Sequence, residues 1–346
     1  MKRLQVLVGL GISALALYLV LHDVHWDEVT DRIKAANDGL LALAVVLLLG
    51  TFMVKALRWR LLLQDPPGVR LWHYFGTLNV AYFMNNLLPL QVGDLGRGYL
   101  LSEIGGLSMT RTLSTILVER VLDVLTLLTI LLVLALFIDI PGEVRAPSIA
   151  LAVVFSCLSI AIVVLSTRRS LALTLTGWLL RFAPVAARPK LHSMAENALD
   201  GFATVTKIDA ALPVFALSGA IWLGTGLVVY VCMQAFDLPL GYGAALFVVV
   251  ATTFGFFVPS TPGSFGVYHA IVTAVLVNVF DIDKESAVSF ALIVHRVFYL
   301  PPMVVGPLFL WTERELWRHT SLLDKLRELR GAAPLPISGQ TGKETG

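Results

Sequence analysis

A long apolar run without any ionised side chain most limits what this chain can fold into. No Asp, Glu, Lys or Arg occurs from Leu238 to Phe280, and shorter runs of this kind recur through most of the sequence. Hydrophobic residues make up 57% of the chain and charged residues only 14%, with a mean hydropathy of +0.79. In a soluble domain roughly a quarter of the residues are charged. The sequence therefore predicts an all-α polytopic membrane protein.

The apolar runs and the basic residues beside them predict the order of the membrane spans. A helix of about 20 apolar residues crosses a bilayer, and Lys and Arg collect on its cytoplasmic side. Both termini are therefore expected in the cytoplasm, with the protein in the cell membrane; a cleaved signal peptide is the alternative for 4–21. Full spans are predicted at 4–21, 40–54, 114–138, 148–166, 212–236 and 287–310.

Two broken apolar segments, 71–113 and 238–280, are predicted to be re-entrant hairpins or additional spans. The total is then six full spans plus two hairpins, or about eight spans. The first membrane repeat is 1–138, and 139–211 is a linker that contains the start of the second repeat and interfacial helices at 171–207. The second repeat continues over 212–311 and precedes a partly disordered cytoplasmic tail, 312–346. Residues 22–38 are predicted to be an acidic loop.

A short motif with one proline and two glycines occurs twice, each time after an apolar run. Its positions are Pro89, Gly93 and Gly96 in the first half, and Pro259, Gly263 and Gly266 in the second, where Pro262 also stands. Further along each half, Glu119-Arg120 and His295-Arg296 occupy matching places. These pairs predict two repeats of opposite orientation, each with a broken hairpin whose backbone lines a central site, as in transporters.

Polar side chains within the apolar runs are the candidate site residues. A charge at the centre of a span costs about 2.5–3.5 kcal/mol on insertion scales, so these side chains are expected to face the protein interior. Arg120 and Arg296 are predicted to approach each other and hold a phosphate. The candidates for substrate binding are Arg97, Arg120, Arg296, Asn85, Asn86 and Asp94. The candidates for charge balance or proton coupling are Glu119, Asp123 and His295.

Each of these assignments has a structural alternative. Glu119, Arg120 and Asp123 could form an ion cluster at a helix end, Asp94 and Arg97 could pair and close the loop, and His295 could be a packing residue. Basic residues at the end of the second span are interpreted as topology determinants: Lys55, Arg58 and Arg60. Three polar residues of the loop 22–38 are interpreted as solvated rather than metal-binding: His22, Asp23 and His25. No catalytic residue, metal, cofactor or nucleic-acid partner is predicted.

Several of these residues together resemble a known family. They are Arg58-Trp59-Arg60, Asn85-Asn86 with Pro89, Gly93-Asp94 with Arg97, Glu119-Arg120 with Asp123, and Pro259, Pro262-Gly263 and Gly266. This set resembles the flippase-like membrane domain of lysylphosphatidylglycerol synthases, which also occurs as free-standing proteins, and the resemblance covers nearly all of 1–315. It implies a protein that moves a lipid between leaflets, an aminoacylated phosphatidylglycerol in the best-known members.

The resemblance leaves the cargo and the partners open. The sequence ends at Gly346 without the aminoacyl-transferase domain of full-length synthases, so a transporter rather than an enzyme is expected. Its cargo would be a phosphate-bearing or aminoacylated phospholipid or a lipid-linked molecule. The alternatives are a membrane enzyme acting on a lipid-linked substrate, with Asp94 or Glu119 as the base, and a non-transporting partner of a synthase or glycosyltransferase. Membrane lipids, a second copy and a separate lipid-modifying enzyme are the candidate partners.

Overall fold

The computed structural model describes residues 2–88, 92–137, 208–255 and 260–314, and the isolated positions 150, 153, 154, 174, 177, 178 and 188. Every regular element in these ranges is helical. A 3₁₀ turn, Pro262–Ser264, precedes the ninth α-helix. The helices are α1 (Lys2–Leu21), α2 (Trp26–Ala35), α3 (Asp38–Leu62), α4 (Leu71–Leu87), α5 (Gly93–Gly105), α6 (Met109–Phe137), α7 (Ile208–Ala235), α8 (Tyr242–Gly255), α9 (Val267–Phe280) and α10 (Lys284–Thr312).

Several helices are long and apolar enough to cross a membrane. Within the described ranges they are Asp38–Leu62, Leu212–Ala235, Pro262–Phe280 and Lys284–Thr312, and the bent pair Gly9–Leu21 with Trp26–Ala35 makes a fifth if it counts as one span. The prediction of a multi-pass, all-helical membrane protein is confirmed. The number of spans and their orientation stay predictions. Apart from the isolated positions given above, the predicted span 148–166 and the interfacial helices at 171–207 lie outside the described residues, as does most of the tail.

Residues 22–38 differ from the predicted acidic loop, because α2 occupies most of them. Val29 on α2 is 1% exposed and packs with Val20 of α1 and Val288 of α10. Asp27 and Glu28 lie in the first turn, where acidic side chains favour the positive end of a helix dipole. The charges that suggested a loop are thus the polar face of a short amphipathic helix.

Polar side chains define where two of the long helices begin. The side chain of Asn37 accepts a 3.1 Å hydrogen bond from the backbone N–H of Leu40 at the start of α3. Asp283 does the same for Ser286 at the start of α10, at 2.9 Å. Such caps satisfy backbone donors that have no partner within the helix. Both long apolar helices therefore begin at a residue that the sequence marks.

The centre of the fold is the packing of α3 against α7. Residues four apart on α3 form its buried face, among them Ala44, Leu48, Phe52 and Ala56, each 4% exposed or less. Two of these are alanines, and small residues let membrane helices approach closely. The amino-terminal halves of α5 and α6 meet the carboxyl-terminal part of α3 and the amino-terminal half of α7. This meeting point contains most of the ionised side chains described below.

Candidate functional site

Six charged side chains from three helices form a closed ring in which positive and negative groups alternate. We call this set the ion ring. Its members are Arg58 on α3, Asp94 and Arg97 on α5, and Glu119, Arg120 and Asp123 on α6. Three arginines and three carboxylates give the ion ring a formal charge of zero. Each member contacts two neighbours of opposite charge.

The distances around the ion ring are those of close ion pairs. Four of the six distances are short: 2.8 Å from Arg58 Nη1 to Asp123 Oδ1, 2.8 Å from Arg120 Nη2 to Asp94 Oδ2, 2.9 Å from Arg97 Nε to Asp94 Oδ1, and 2.9 Å from Arg97 Nη2 to Glu119 Oε2. The other two are 3.6 Å, from Arg120 Nη1 to Asp123 Oδ2 and from Arg58 Nη2 to Glu119 Oε1. Arg120 also donates from Nε to Asp94, at 3.1 Å. The Arg120–Asp94 contact is therefore a planar fork, the strongest type of arginine–carboxylate pair.

The local sequence explains why these groups converge. Glu119 and Asp123 are four apart on α6 and therefore share one helix face. Asp94 and Arg97 are three apart in the first two turns of α5, and both contact α6. Arg58 comes from the last turns of α3, on the face next to its buried alanines. The predicted cluster of Glu119, Arg120 and Asp123 and the predicted Asp94–Arg97 pair thus belong to one arrangement.

Neutral side chains of α3 and α7 also contact members of the ion ring. Asp123 accepts a further hydrogen bond from the Trp222 indole at 3.1 Å, and Arg58 donates to the Ser218 hydroxyl at 3.0 Å. The guanidinium carbon of Arg97 lies 4.6 Å from the ring centroid of Trp59, within the range of a cation–π contact. These contacts tie the ion ring to α7 and to the core of α3. A buried charge needs such partners to be tolerated, although Arg58 Nε is buried without a hydrogen-bond acceptor in the described part of the chain.

Exposure differs sharply between the two sides of the ion ring. The side chains of Arg58 and Arg97 are 2% exposed and that of Glu119 is 3% exposed. On the other side, Asp94 is 31% exposed and Arg120 is 51% exposed. The ion ring therefore has a closed side within the protein and an open side at the Arg120–Asp94 fork.

Lys55 lies next to the ion ring but outside it. Its ammonium donates a 2.8 Å hydrogen bond to the hydroxyl of Tyr82. Three aromatic rings surround it, with centroid distances of 5.7 Å to Phe52, 5.4 Å to Tyr82 and 5.6 Å to Trp222. Trp222 is also the residue that donates to Asp123. Trp222 therefore contacts both Lys55 and the ion ring.

The matching place in the second half contains histidine and aromatic residues, with Arg296 as its one charged residue in the described part of the chain. His295 Nε2 lies 2.9 Å from the carbonyl oxygen of Gly263, and its ring lies 4.7 Å from that of His269. The rings of Phe265 and Tyr299 pack against His295. The His295 ring thus contacts the turn at Gly263, and its predicted role in charge balance or proton coupling stays a prediction.

The remaining predicted residues fall into separate places. Asn85 accepts a 2.7 Å hydrogen bond from the backbone of Gly93, and Asn86 donates to the carbonyl oxygen of Tyr299 at 3.3 Å. Gly96 packs against Met84, and Gly266 adopts a φ of +87° before α9. Pro262 begins the 3₁₀ turn.

Three predicted residues are not placed in the site. Arg296 is exposed on α10, and its predicted approach to Arg120 stays a prediction. Pro89 and Pro259 lie outside the described residues.

Sequence reasoning missed the role of Arg58, and it assigned no place to Lys55, Ser218 or Trp222 in the site. A charge count indicates that a further basic residue is needed, because two carboxylates on one face of α6 exceed the single arginine between them, but the count does not identify Arg58. No group of three metal-ligating side chains meets in the described part of the chain. His22 contacts Asp23, and His25 contacts Glu285.

The fold and the site together define a multi-pass helical membrane protein with a buried, charge-neutral ion ring. The comparison with known sequences is more specific. Residues 6–306 match the family described as "Lysylphosphatidylglycerol synthase TM region", and the chain belongs to this family, as its motifs predict.

Related proteins come from archaea. A UPF0104 membrane protein of Methanocaldococcus jannaschii is 24% identical over 66% of this chain and 93% of its own length. A UPF0104 membrane protein of Methanothermobacter thermautotrophicus is 21% identical over 86% of this chain and 91% of its own length. A protein named glycosyltransferase AglD, from Haloferax volcanii, is 27% identical over 36% of this chain but only 20% of its own length.

Proposed function

We propose that this protein is a lipid translocase that moves a phosphate-bearing or aminoacylated phospholipid, or a lipid-linked molecule, between leaflets. The observation that carries the proposal is the ion ring, six ionised groups among apolar helices with one open side. Ionisable residues inside membrane segments are expensive and usually mark a substrate or ion pathway. A buried ion pair gives little net stability compared with apolar packing, so stability alone is a weak reason for six such groups.

The order and lengths of the helices support a pair of repeats. Helices α3 to α6 contain 25, 17, 13 and 29 residues, and α7 to α10 contain 28, 14, 14 and 29. Their packing is also reciprocal. The second helix of each set, α4 or α8, contacts the last helix of the other set, α10 or α6, and the first helix of each set, α3 or α7, does the same. We infer that the repeats have inverted topology, with both termini cytoplasmic in a cell membrane. Rocking of one repeat against the other would then alternate access to a central site.

The open side of the ion ring suggests how a headgroup would enter. A phosphate can replace the Asp94 carboxylate on the Arg120 guanidinium, because both present two oxygens to the same fork. Arg97 is already held by two carboxylates and Trp59, so it serves the ion ring rather than the cargo. Glu119 and Asp123 balance the arginines, and protonation of either would change the charge of the ion ring. Arg296, exposed on α10, would offer a second cation on the opposite repeat.

A leaflet-exchange assay tests this function. Purified protein is reconstituted in vesicles with fluorescent anionic, zwitterionic or aminoacylated phospholipids, and the outer-leaflet dye is quenched with dithionite. We expect lipid-selective exchange that falls to the protein-free rate in Arg120→Ala and Arg296→Ala. Arg60→Ala is the matched control, because Arg60 pairs with Asp65 at the end of α3 and lies outside the ion ring. Exchange by both intramembrane variants at the native rate would contradict these roles, and no exchange of any lipid would contradict the translocase.

The match to glycosyltransferase AglD favours a second candidate function, that of a non-transporting membrane partner of such an enzyme. In this case the chain would hold a lipid-linked substrate or an enzyme at the membrane without moving lipid. A stable stoichiometric complex with a glycosyltransferase, whose activity persists after Arg120→Ala and Arg296→Ala, would support this candidate. Loss of that activity in both variants would count against it.

A further inference from the structure

Lys55 contributes a positive charge that the ion ring does not balance. The three arginines and three carboxylates of the ion ring already cancel one another. Lys55 attracts Asp123 electrostatically, yet it forms no ion pair with any residue in the described ranges. The ion ring and Lys55 together therefore have a formal charge of +1. A partly buried cluster with one extra positive charge favours the binding of an anion.

The hydrogen bonds of Lys55 lead to the same conclusion. An ammonium has three N–H donors, and it cannot accept. One donor is used by the Tyr82 hydroxyl at 2.8 Å. No other hydrogen-bond acceptor for Lys55 is found among the residues that the structure describes. Two donors thus remain on a half-buried side chain, and one tetrahedral oxyanion could accept both.

The three aromatic rings around Lys55 fix the position of its charge. Phe52 is 4% exposed and Trp222 is 7% exposed, and Phe52 stacks on Tyr82 with centroids 4.9 Å apart. Such faces attract a cation, but unlike a carboxylate they do not neutralise it. The low local dielectric strengthens an ion pair formed there compared with one in water.

Trp222 and Asp123 connect Lys55 with the open side of the ion ring. The Trp222 ring lies 5.6 Å from the Lys55 ammonium, its indole N–H donates to Asp123, and Asp123 contacts Arg120 at 3.6 Å. Arg120 is the most exposed member of the ion ring. A ligand at this edge of Trp222 would therefore meet two cations, a free ammonium and a guanidinium that shares its fork with Asp94.

We propose that Lys55, held by Phe52, Tyr82 and Trp222, is the primary binding residue for a phosphate oxyanion, with Arg120 as the second cation. This inference rests on the proposed lipid function for the source of the phosphate, the headgroup of an anionic phospholipid. Lys55 thus has a role beyond marking the topology of α3. The free ammonium forms the first contact, and Arg120 follows when its fork opens from Asp94.

A binding experiment in detergent tests the proposal without requiring transport. The full-length protein is titrated with dihexanoyl-phosphatidylglycerol, dihexanoyl-phosphatidylcholine and inorganic phosphate, and heat of binding is measured. We expect the anionic lipid to bind and Lys55→Gln to weaken its binding by roughly tenfold or more, the loss of one charge-assisted hydrogen bond. Lys55→Arg should recover part of the affinity. Lys34→Gln, on the exposed side of α2, is the control and should bind normally.

The arms of this experiment separate the outcomes. Lys55-dependent binding of the lipid, with inorganic phosphate binding much more weakly, supports the proposal in full. Lys55-dependent binding of inorganic phosphate alone would overturn the assignment to a lipid. Equal lipid affinity in native protein and Lys55→Gln would overturn the site. A protein that binds the lipid through Lys55 but exchanges none between leaflets would retain this inference and refute the translocase.

A second measurement uses the native protein and does not depend on the folding of a variant. Lys55 is acylated with an amine-reactive ester, and its labelling rate is followed by mass spectrometry with and without dihexanoyl-phosphatidylglycerol. We expect the lipid to slow acylation of Lys55 and leave that of Lys34 unchanged. Equal acylation rates of Lys55 with and without saturating lipid would refute the contact.

Discussion

Arg58 on α3 and Asp123 on α6 lie 65 residues apart in the chain, yet a 2.8 Å hydrogen bond joins them. Both side chains are almost entirely buried, and Arg58 also contacts Glu119 and Ser218. The pair therefore connects α3, α6 and α7 at the closed side of the ion ring. Its position means that the stability of the fold and the integrity of the site depend on the same charges.

Loss of Arg58 should destabilise the protein strongly. Arg58→Met leaves Glu119 and Asp123 without one positive partner, and breaking a buried pair on one side typically costs about 3–5 kcal/mol. The free energy of unfolding can be measured in mixed micelles titrated with dodecyl sulfate. Arg60→Met is the control on the same helix, because Arg60 and Asp65 are exposed and should contribute much less. Equal losses in the two variants would show that the ion ring is not closed at Arg58.

Arg97 and Glu119 should show strong energetic coupling. Arg97→Met or Glu119→Gln alone leaves an odd charge in the closed side, whereas the double variant leaves two arginines and two carboxylates. The double variant should therefore be more stable than the sum of the single losses predicts, with a coupling of about 0.5–3 kcal/mol. The same unfolding measurement is made on the native protein, the two single variants and the double variant, which together form a double-mutant cycle. Additive losses would mean that the 2.9 Å contact does not contribute.

Hydropathy and spacing predict much of this fold and part of its site. The long apolar runs locate α3, α7 and α10, because a helix that crosses the bilayer needs about 20 mostly apolar residues. The spacing of Glu119 and Asp123 predicts their shared face. The role of Arg58 cannot be predicted in this way, because a basic residue near the end of an apolar run is equally well explained as a marker of the cytoplasmic side of the membrane. Only the packing of α3 against α6 and α7 identifies its carboxylate partners, and no local pattern contains that information.

For the same reason, neither the helical structure of α2 nor the surroundings of Lys55 could be predicted from the sequence. The charges at 22–38 favour a loop until the contact of Val29 with α1 and α10 is known. Lys55 stands two turns before the end of α3, and its aromatic neighbours come from α3, α4 and α7. Contacts between distant segments of a sequence are set by helix packing, which a single sequence does not specify.

Gly93 should tolerate alanine much less well than Gly96. A Cβ on Gly93 would lie 2.0 Å from the backbone oxygen of Ala81, so α5 would have to move away from α4. Overpacking of this kind typically costs about 1–3 kcal/mol. A Cβ on Gly96 would meet the Met84 sulfur at 2.5 Å, and a methionine side chain can move aside. Unfolding measurements on Gly93→Ala and Gly96→Ala check this order, and the reverse order would contradict the packing of α5 on α4.

The docking of α2 should weaken as the pH rises. His25 Nδ1 lies 3.1 Å from a Glu285 oxygen at the start of α10, and this hydrogen bond raises the pKa of His25 above its ordinary value, with further attraction from Glu28. The folded state therefore binds the His25 proton more tightly than the unfolded state. This stabilisation is complete below the ordinary pKa, about 6.5, and is lost as the pH rises through the raised pKa. Arg32 contacts Asp283 and does not titrate in this range, so only part of the docking responds to pH.

Hydrogen exchange of the α2 amides between about pH 6 and pH 8 measures this effect, after correction for the intrinsic rate of exchange. We expect protection of α2 to decrease with rising pH in the native protein and to be low and nearly constant in His25→Asn. His22→Gln is the matched control, because the His22 side chain contacts Asp23, and only its backbone carbonyl, which the substitution keeps, accepts a hydrogen bond from Lys284 of α10. This variant should keep the native pH dependence. Protection that increases with pH would reverse the sign and refute the role of the His25–Glu285 contact. If the pH dependence is lost in His22→Gln and kept in His25→Asn, the effect belongs to the turn between α1 and α2 instead.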